Sequence, residues 1–176
     1  MSLRWTGLSL GANVGPRRRT LESAAAALAG SLELAEWRLS GLYRTEPWGA
    51  VDGPEFLNCA MVGRTPLKAR EVLDRCREAE RSAGSAVRKD GGARRLDVDM
   101  LFMEGVITDD AQLTLPHPRM HLRRFVLAPL AAIWNRPVPG LGAAPQRLLA
   151  DLQDDCGVWR VAPEPLEGHA EWRDGV

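Results

Sequence analysis

From the amino end, Trp5-Thr-Gly-Leu-Ser-Leu10 alternates loosely between apolar and polar positions and runs into Gly11-Ala-Asn-Val-Gly15-Pro16, the pattern of a strand ending in a turn. Pro16 suits a first helical position, Leu21, Ala24, Ala25 and Leu28 recur at helical spacing, and Gly30 is placed to end that helix. From Ser31 to Thr45 the pattern turns extended and predicts one long strand, with a phase slip between Leu32/Leu34 and Trp37/Leu39 that marks a bulge. Residues 46–55 hold two prolines and two glycines and form a loop long enough to be functional. Phe56 to Val62 returns as a strand; Thr65-Pro66 reads as N-cap and first residue of a helix whose face is Ala69, Val72, Leu73, Cys76, Ala79 and Ala83, ending at Gly84.

Ser85 to Arg95 is polar and basic and forms a second loop, which delivers the chain to the alternating Leu96-Asp-Val-Asp-Met-Leu-Phe102. Beyond it come a turn at Glu104-Gly105, a short extended piece at 113–115, and a mainly helical stretch from Arg119 to Trp134 in which Pro129 restarts the helix. A loop over 137–145, a short helix over 146–152 and a last strand over 158–161 complete the order. The sum is β-α-β-β-α-β followed by helical additions: an α+β, ferredoxin-like antiparallel sheet with helices packed on it.

Composition narrows the function. The chain has 176 residues, read as one domain over 1–162 and a polar tail over 163–176. Its longest uncharged runs, such as Ser23 to Leu32, are about ten residues, half of what a spanning helix needs. No secretory pattern opens it, and Cys59, Cys76 and Cys156 form no C-x-x-C pair, so a cytoplasmic protein without disulfides or zinc is expected. The charges balance at 23 basic and 23 acidic residues, which argues against nucleic-acid or membrane-surface partners. An RNA-binding module on this fold would carry basic and aromatic residues on its central strands, and neither Leu8 to Leu10 nor Leu96 to Phe102 does.

Chemistry gathers around the second strand of that order to carry acids. In Leu96-Asp97-Val98-Asp99-Met100 the strand period puts both carboxylates on one face. Two such acids suit a magnesium ion shared with substrate phosphates; alternatively they only pair with Arg94 and Arg95. Arg88, Lys89, Arg94 and Arg95 lie just upstream, and His117, Arg119, His121, Arg123 and Arg124 lie downstream. Acids flanked by two basic sets match a metal-bound polyphosphate. Gly11 to Gly15 lacks the spacing of a phosphate-binding loop. Asn13 and Asn58 could read an amide-like heterocycle edge, and Phe56 and Phe125 could stack on a flat ring.

In order along the chain, Leu8-Ser-Leu-Gly-Ala-Asn13, Leu42-Tyr-Arg-Thr45, Phe56-Leu-Asn58, Glu80-Arg-Ser-Ala-Gly84, Arg94-Arg-Leu-Asp-Val-Asp-Met-Leu-Phe102, Leu115-Pro-His-Pro-Arg-Met120 and Arg123-Arg-Phe-Val-Leu-Ala-Pro-Leu130 resemble the 6-hydroxymethyl-7,8-dihydropterin pyrophosphokinases of folate biosynthesis. The likeness covers about residues 5–140. It implies transfer of pyrophosphate from ATP to the pterin hydroxymethyl group, giving AMP and the pterin diphosphate, with these small molecules as its partners; separately, a monomer is expected. By motif position Asp97 and Asp99 would hold two Mg2+ ions. Arg94 and Arg123 would join them in catalysis, and Arg88, His117 and Arg119 would bind the nucleotide. Thr45, Phe56, Asn58 and Phe125 would form the pterin pocket, with the two phenylalanines sandwiching the ring.

The chain departs from the family pattern mainly in one loop. Ser85 follows Gly84 where the family has arginine, Gly91 stands at a tryptophan position, Asp90 takes a basic one, and the loop is one residue shorter. Smaller departures are Ala12 for serine and Phe56 for tyrosine. These changes fall on loop closure and set up an alternative: a pterin- or nucleotide-binding homolog with weak or no turnover.

Overall fold

In the computed structural model, residues 2–47, 53–84 and 93–161 are described. Strand β1 (Arg4–Ala12) leads into helix α1 (Arg17–Ser31), then β2 (Ala35–Leu39), β3 (Tyr43–Thr45), β4 (Phe56–Thr65), helix α2 (Ala69–Ser82) and β5 (Asp97–Met103). A hairpin of β6 (Thr108–Asp110) and β7 (Leu113–Leu115) follows, then α3 (Arg124–Ala131), α4 (Pro145–Asp151) and β8 (Val158–Arg160). The sheet runs β5-β1-β4-β3-β8, with β2 also on β4, and its strand pairings among the described residues are antiparallel. With β2 and β3 counted as one interrupted strand, this is the expected ferredoxin-like sheet, extended by β8.

Strand alternation divides the sheet into two faces. Leu8, Leu10 and Ala12 of β1, Cys59 and Met61 of β4, and Val98 and Met100 of β5 form one core with Leu21, Ala25 and Leu28 of α1 and Val72 and Cys76 of α2. The intervening residues form the other face, and they change character along its length. At one end Ala60, Val62, Leu101 and Phe102 pack under Val126 and Leu130 of α3, with Ile133 and Trp134 beyond it. Toward the other end the same strands present Ser9 and Gly11, Phe56 and Asn58, Asp97 and Asp99. Apolar surface recruits α3, and polar surface does not. Half of the second face is therefore core and half is left for chemistry.

A bulge makes that division possible. The β1–β5 register slips between Gly7 and Leu8, so Leu101 and Phe102 both belong to the α3 core while Met100 and Met103 belong to the other. The Phe102 ring lies flat over Gly7, where an added Cβ would come within 2.3 Å of it.

Several local expectations are corrected. The stretch 31–45 is not one strand: α1 runs through Ser31, its end is closed by Glu33 at φ 52° with Leu34 N–H donating to Ala29 O at 3.0 Å, and Gly30 lies in the last turn. The bulge itself is present, between Ala35 and Arg38. Ser40 separates β2 from β3, and its hydroxyl accepts from Ala60 N–H at 2.9 Å in place of a strand carbonyl. Thr65 and Pro66 do not start α2, because β4 continues to Thr65, which pairs with Arg4. Helix α2 starts at Ala69, with Glu71 accepting from Lys68 N–H at 2.8 Å. Pro129 lies inside α3 and does not restart it; the break comes earlier, at Arg123, which is extended at φ −123°, ψ 107°. No helix of the described residues is long and apolar enough to cross a membrane.

Gly7→Ala should lower stability by about 1–3 kcal/mol, the usual cost of overpacking, because the obstacle is the face of a fully buried ring rather than a flexible tip. Thermal denaturation of the variant checks this.

Candidate active site

The polar half of the second face is organised by register. Gly11 of β1 lies opposite Asn58 of β4 on one side and Asp97 of β5 on the other. In-register neighbours point to the same face, so Asn58, Gly11 and Asp97 form one row across three strands. Two inter-strand spacings put the amide and the carboxylate backbones about 9–10 Å apart, and the position between them has no side chain. A Cβ there would lie 2.6 Å from Asn58 Oδ1 and 3.9 Å from the Phe56 ring. At the amide end, Asn58 Nδ2 donates to Thr45 Oγ1 at 2.8 Å, and both residues are buried. Thr45, Phe56 and Asn58 are thus brought together as expected.

The acid end is held by cations from two directions. Arg94 Nη1 lies 2.5 Å from Asp97 Oδ1, Arg123 Nη1 3.4 Å from Asp99 Oδ2, and His117 Nε2 3.9 Å from the same oxygen. Arg123 reaches Asp99 because the chain is extended at that residue just before α3 begins. Its guanidinium also stands over the Phe125 ring, 5.5 Å from the centroid. Phe125 therefore belongs to the arginine side of the site, and Phe56 to the Gly11 side. Arg119 is exposed, and its backbone N–H donates to His117 Nδ1 at 3.2 Å, which leaves Nε2 as the imidazole's proton-bearing atom on the Asp99 side. Arg88, Lys89, Asp90 and Gly91 lie outside the described residues.

These charges are costly to assemble. Burial, and then the neighbouring Asp99, push the Asp97 carboxyl above its ordinary pKa against the pull of Arg94. Burial likewise raises Glu80, whose Oε1 accepts from Val98 N–H at 2.9 Å on the outer edge of β5. That bond closes an edge-strand donor lying between the two acids. Burial lowers His117, and Arg123 and Arg119 oppose the help it gets from Asp99, so the ring is neutral at neutral pH.

A cavity of about 270 Å³ opens beside Asp99 and His117 and runs under the β6–β7 hairpin. Leu73, Val98, Met100 and Leu113 give it an apolar floor, with Gln112 and Thr114 at its polar rim. Sequence reasoning did not single out the hairpin residues; the only signal was a short extended piece after a turn. A larger cavity, about 660 Å³, lies between α1 and α2 and contains none of the acids.

A ferredoxin-like sheet with one open half-face, an acid pair set among arginines and a purine-sized cavity beside them define a phosphate-transferring enzyme that uses a nucleotide. Residues 7–135 match the family of 7,8-dihydro-6-hydroxymethylpterin-pyrophosphokinases (HPPK). The 2-amino-4-hydroxy-6-hydroxymethyldihydropteridine pyrophosphokinase of Mycobacterium tuberculosis is 37% identical over 159 residues, covering 83% of this chain and 82% of that protein. The enzyme of the same name from Methylorubrum extorquens is 37% identical over 154 residues, covering 88% and 96%. Among solved structures, an HPPK-DHPS in complex with substrates matches with TM-score 0.60 at 12% identity, over 85% of this chain and 43% of that one. A Plasmodium falciparum HPPK-DHPS with pterin and p-hydroxybenzoate matches at 0.58 and 16%, again over 85% and 43%. The chain thus spans less than half of those solved chains, and at such identities they support the fold alone. The chain belongs to the HPPK family and is an ATP-dependent pyrophosphokinase of folate biosynthesis. Relatives named for catalysis do not favour the non-turnover alternative.

An acid whose folded pKa lies above its unfolded one binds extra protons in the folded chain, so ionising it weakens the fold as pH rises. Asp97→Asn should therefore raise the Tm of the ligand-free protein at pH 7.5, by on the order of 1–2 °C, while turnover is lost. The advantage should shrink as pH falls toward 4 and the native Asp97 increasingly takes up its own proton. Thermal unfolding of both proteins at the two pH values checks the sign.

Proposed function

We propose that this chain transfers the pyrophosphoryl group of ATP to 6-hydroxymethyl-7,8-dihydropterin across the row Asn58–Gly11–Asp97, which is the observation that carries the reading. An amide recogniser, a bare floor and a metal-binding acid are aligned on adjacent strands. The pterin lies over Gly11, its ring edge read by Asn58 with Thr45 behind it, and flanked by Phe56 and Phe125. Its hydroxymethyl group then points along the row toward Asp97.

The nucleotide enters from the opposite side. Its base fits the cavity under the hairpin, against Leu73, Met100 and Leu113, and its phosphates run past His117 and Asp99 to the arginines. His117, neutral and with Nε2–H directed into the site, donates to a phosphate oxygen; Arg119 and Arg88 add charge from the rim. Arg94 and Arg123 take the negative charge that develops on transfer.

The donor set fits magnesium. Two carboxylates on one strand face would supply the hard oxygen ligands that magnesium takes, leaving room for substrate phosphates and water as it prefers. Asp97 and Asp99 would hold the ion or ions, two in our reading, which supply charge neutralisation on the phosphates. The pterin hydroxyl oxygen forms the new bond to the β-phosphorus and gives up its proton. The bond from that phosphorus to the oxygen bridging the α-phosphate breaks, and AMP leaves. No covalent enzyme intermediate is needed, because alignment and charge stabilisation suffice. We further read the protein as a cytoplasmic monomer with one catalytic domain over 1–162 and a polar tail over 163–176.

Incubation with ATP, Mg2+ and the pterin should release AMP only when the pterin is present, with the pterin diphosphate detected by mass. Asp97→Ala and Asp99→Ala should each abolish that release while the circular-dichroism spectrum stays native; near-normal rates in both would sink the metal assignment. Gly11→Ala should act at the other end of the row. Its methyl displaces the Asn58 amide, so KM for the pterin should rise about tenfold or more, with KM for ATP little changed.

A further inference from the structure

Asn13 is polar, buried, and one residue past the end of β1. Its Oδ1 accepts from the Arg94 backbone N–H at 2.6 Å, and its own backbone N–H donates to the Arg94 carbonyl at 3.0 Å. Two bonds to one residue are the signature of an antiparallel pair, here completed by a side-chain oxygen where a second strand would offer a carbonyl. The true ladder between β1 and β5 ends at Gly11 and Asp97, and Arg94 lies three residues further out. Asn13 thus carries the pairing beyond the last strand residue, and the Arg94 guanidinium turns back from that anchor onto Asp97. An asparagine expected to read a heterocycle edge has its carbonyl oxygen committed to the backbone of a transfer-site residue.

We propose that Asn13 is a positioning residue for the transfer step: by clamping both backbone polar groups of Arg94 it fixes that guanidinium against Asp97 and the phosphates. The inference rests on the reading of Arg94 as a transfer-site residue. It differs from a plain structural role in its consequences, since a structural loss lowers all activities with the folded fraction. A positioning loss acts through Arg94 and disappears when Arg94 is already gone.

The test is steady-state kinetics, with Tm, of Asn13→Ala, Asn13→Asp, Arg94→Ala and the Asn13→Ala/Arg94→Ala double variant, using MgATP and the pterin. Asn13→Ala should lower kcat/KM for MgATP about tenfold or more and leave KM for the pterin within about twofold. Asn13→Asp, which keeps the acceptor, should recover to within about threefold of the native enzyme. In the Arg94→Ala background, Asn13→Ala should cost less than about twofold further. Full multiplication of the two losses, a rise confined to the pterin KM, or an Asn13→Asp variant as poor as Asn13→Ala would overturn the proposal. If Asn13→Ala does not fold, Asn13→Asp decides: near-native turnover upholds the clamp, and a tenfold loss in the folded variant refutes it. Wild-type turnover in Arg94→Ala would instead remove the site reading beneath it, an outcome distinct from additive losses.

Discussion

The site depends on the central strand carrying glycine at the one position where its two neighbours offer Asn58 and Asp97. Register fixes the two functional groups a constant distance apart, and only the absence of a Cβ leaves room for a substrate to bridge them. Hydrogen bonding in the sheet thereby does what positioning loops do elsewhere. The ladder is cooperative and buried on its other face by both helices, so the row is as rigid as the core beneath it. A strand slipped by one residue would send every one of these groups into that core.

The same constraint explains why α3 covers only part of the second face. Strands β1, β4 and β5 are apolar at one end of the second face and polar at the other, so α3 finds a partner only over the first half. The bulge at Leu101 doubles the apolar contribution of β5 there. It also keeps Asp97 and Asp99 in phase with Gly11 and Ser9, so core and chemistry share strands without sharing a register error. The extended residue that ends the run-up to α3 is Arg123, the one that reaches Asp99. The helix start and the arginine that meets Asp99 are one structural event.

Much of this was legible in the sequence, and the legible parts share a cause. Alternation in Leu96 to Phe102, the helical faces of α1 and α2, and the segments around Asp97 and His117 are local patterns, which is why the ferredoxin-like order and the acid pair could be read directly. What could not be read depends on pairing between distant segments. Ser40 breaks a strand because its hydroxyl can stand in for a carbonyl opposite Ala60. Thr65 stays in a strand because Arg4 pairs with it, overriding its aptitude as a cap. Asn13 looks like a ligand-reading amide until Arg94, eighty-one positions away, is seen to hold it. The hairpin that lines the cavity beside Asp99 was read only as a short extended piece at 113–115, because its strands are three residues each and β6 is wholly polar.

The electrostatics point the same way as the geometry. Asp97 lies beside Asp99, with Glu80 close behind, and burial raises both Asp97 and Glu80. No fold selected for stability alone would hold three carboxylates there, and Arg94, Arg123 and the Val98 amide only partly offset them. Such a cluster fits a site whose relief comes with a ligand: a divalent cation held by Asp97 and Asp99 would attract each of them and offset their mutual repulsion. Phosphate groups would answer the arginines in turn. The ligand-free site therefore carries repulsion in both signs, between Asp97 and Asp99 and among Arg94, Arg119 and Arg123. That repulsion belongs to the acid end of the row, where Glu80 crowds the two aspartates and Arg94 and Arg123 reach them, while the other end is held by the neutral Asn58–Thr45 hydrogen bond.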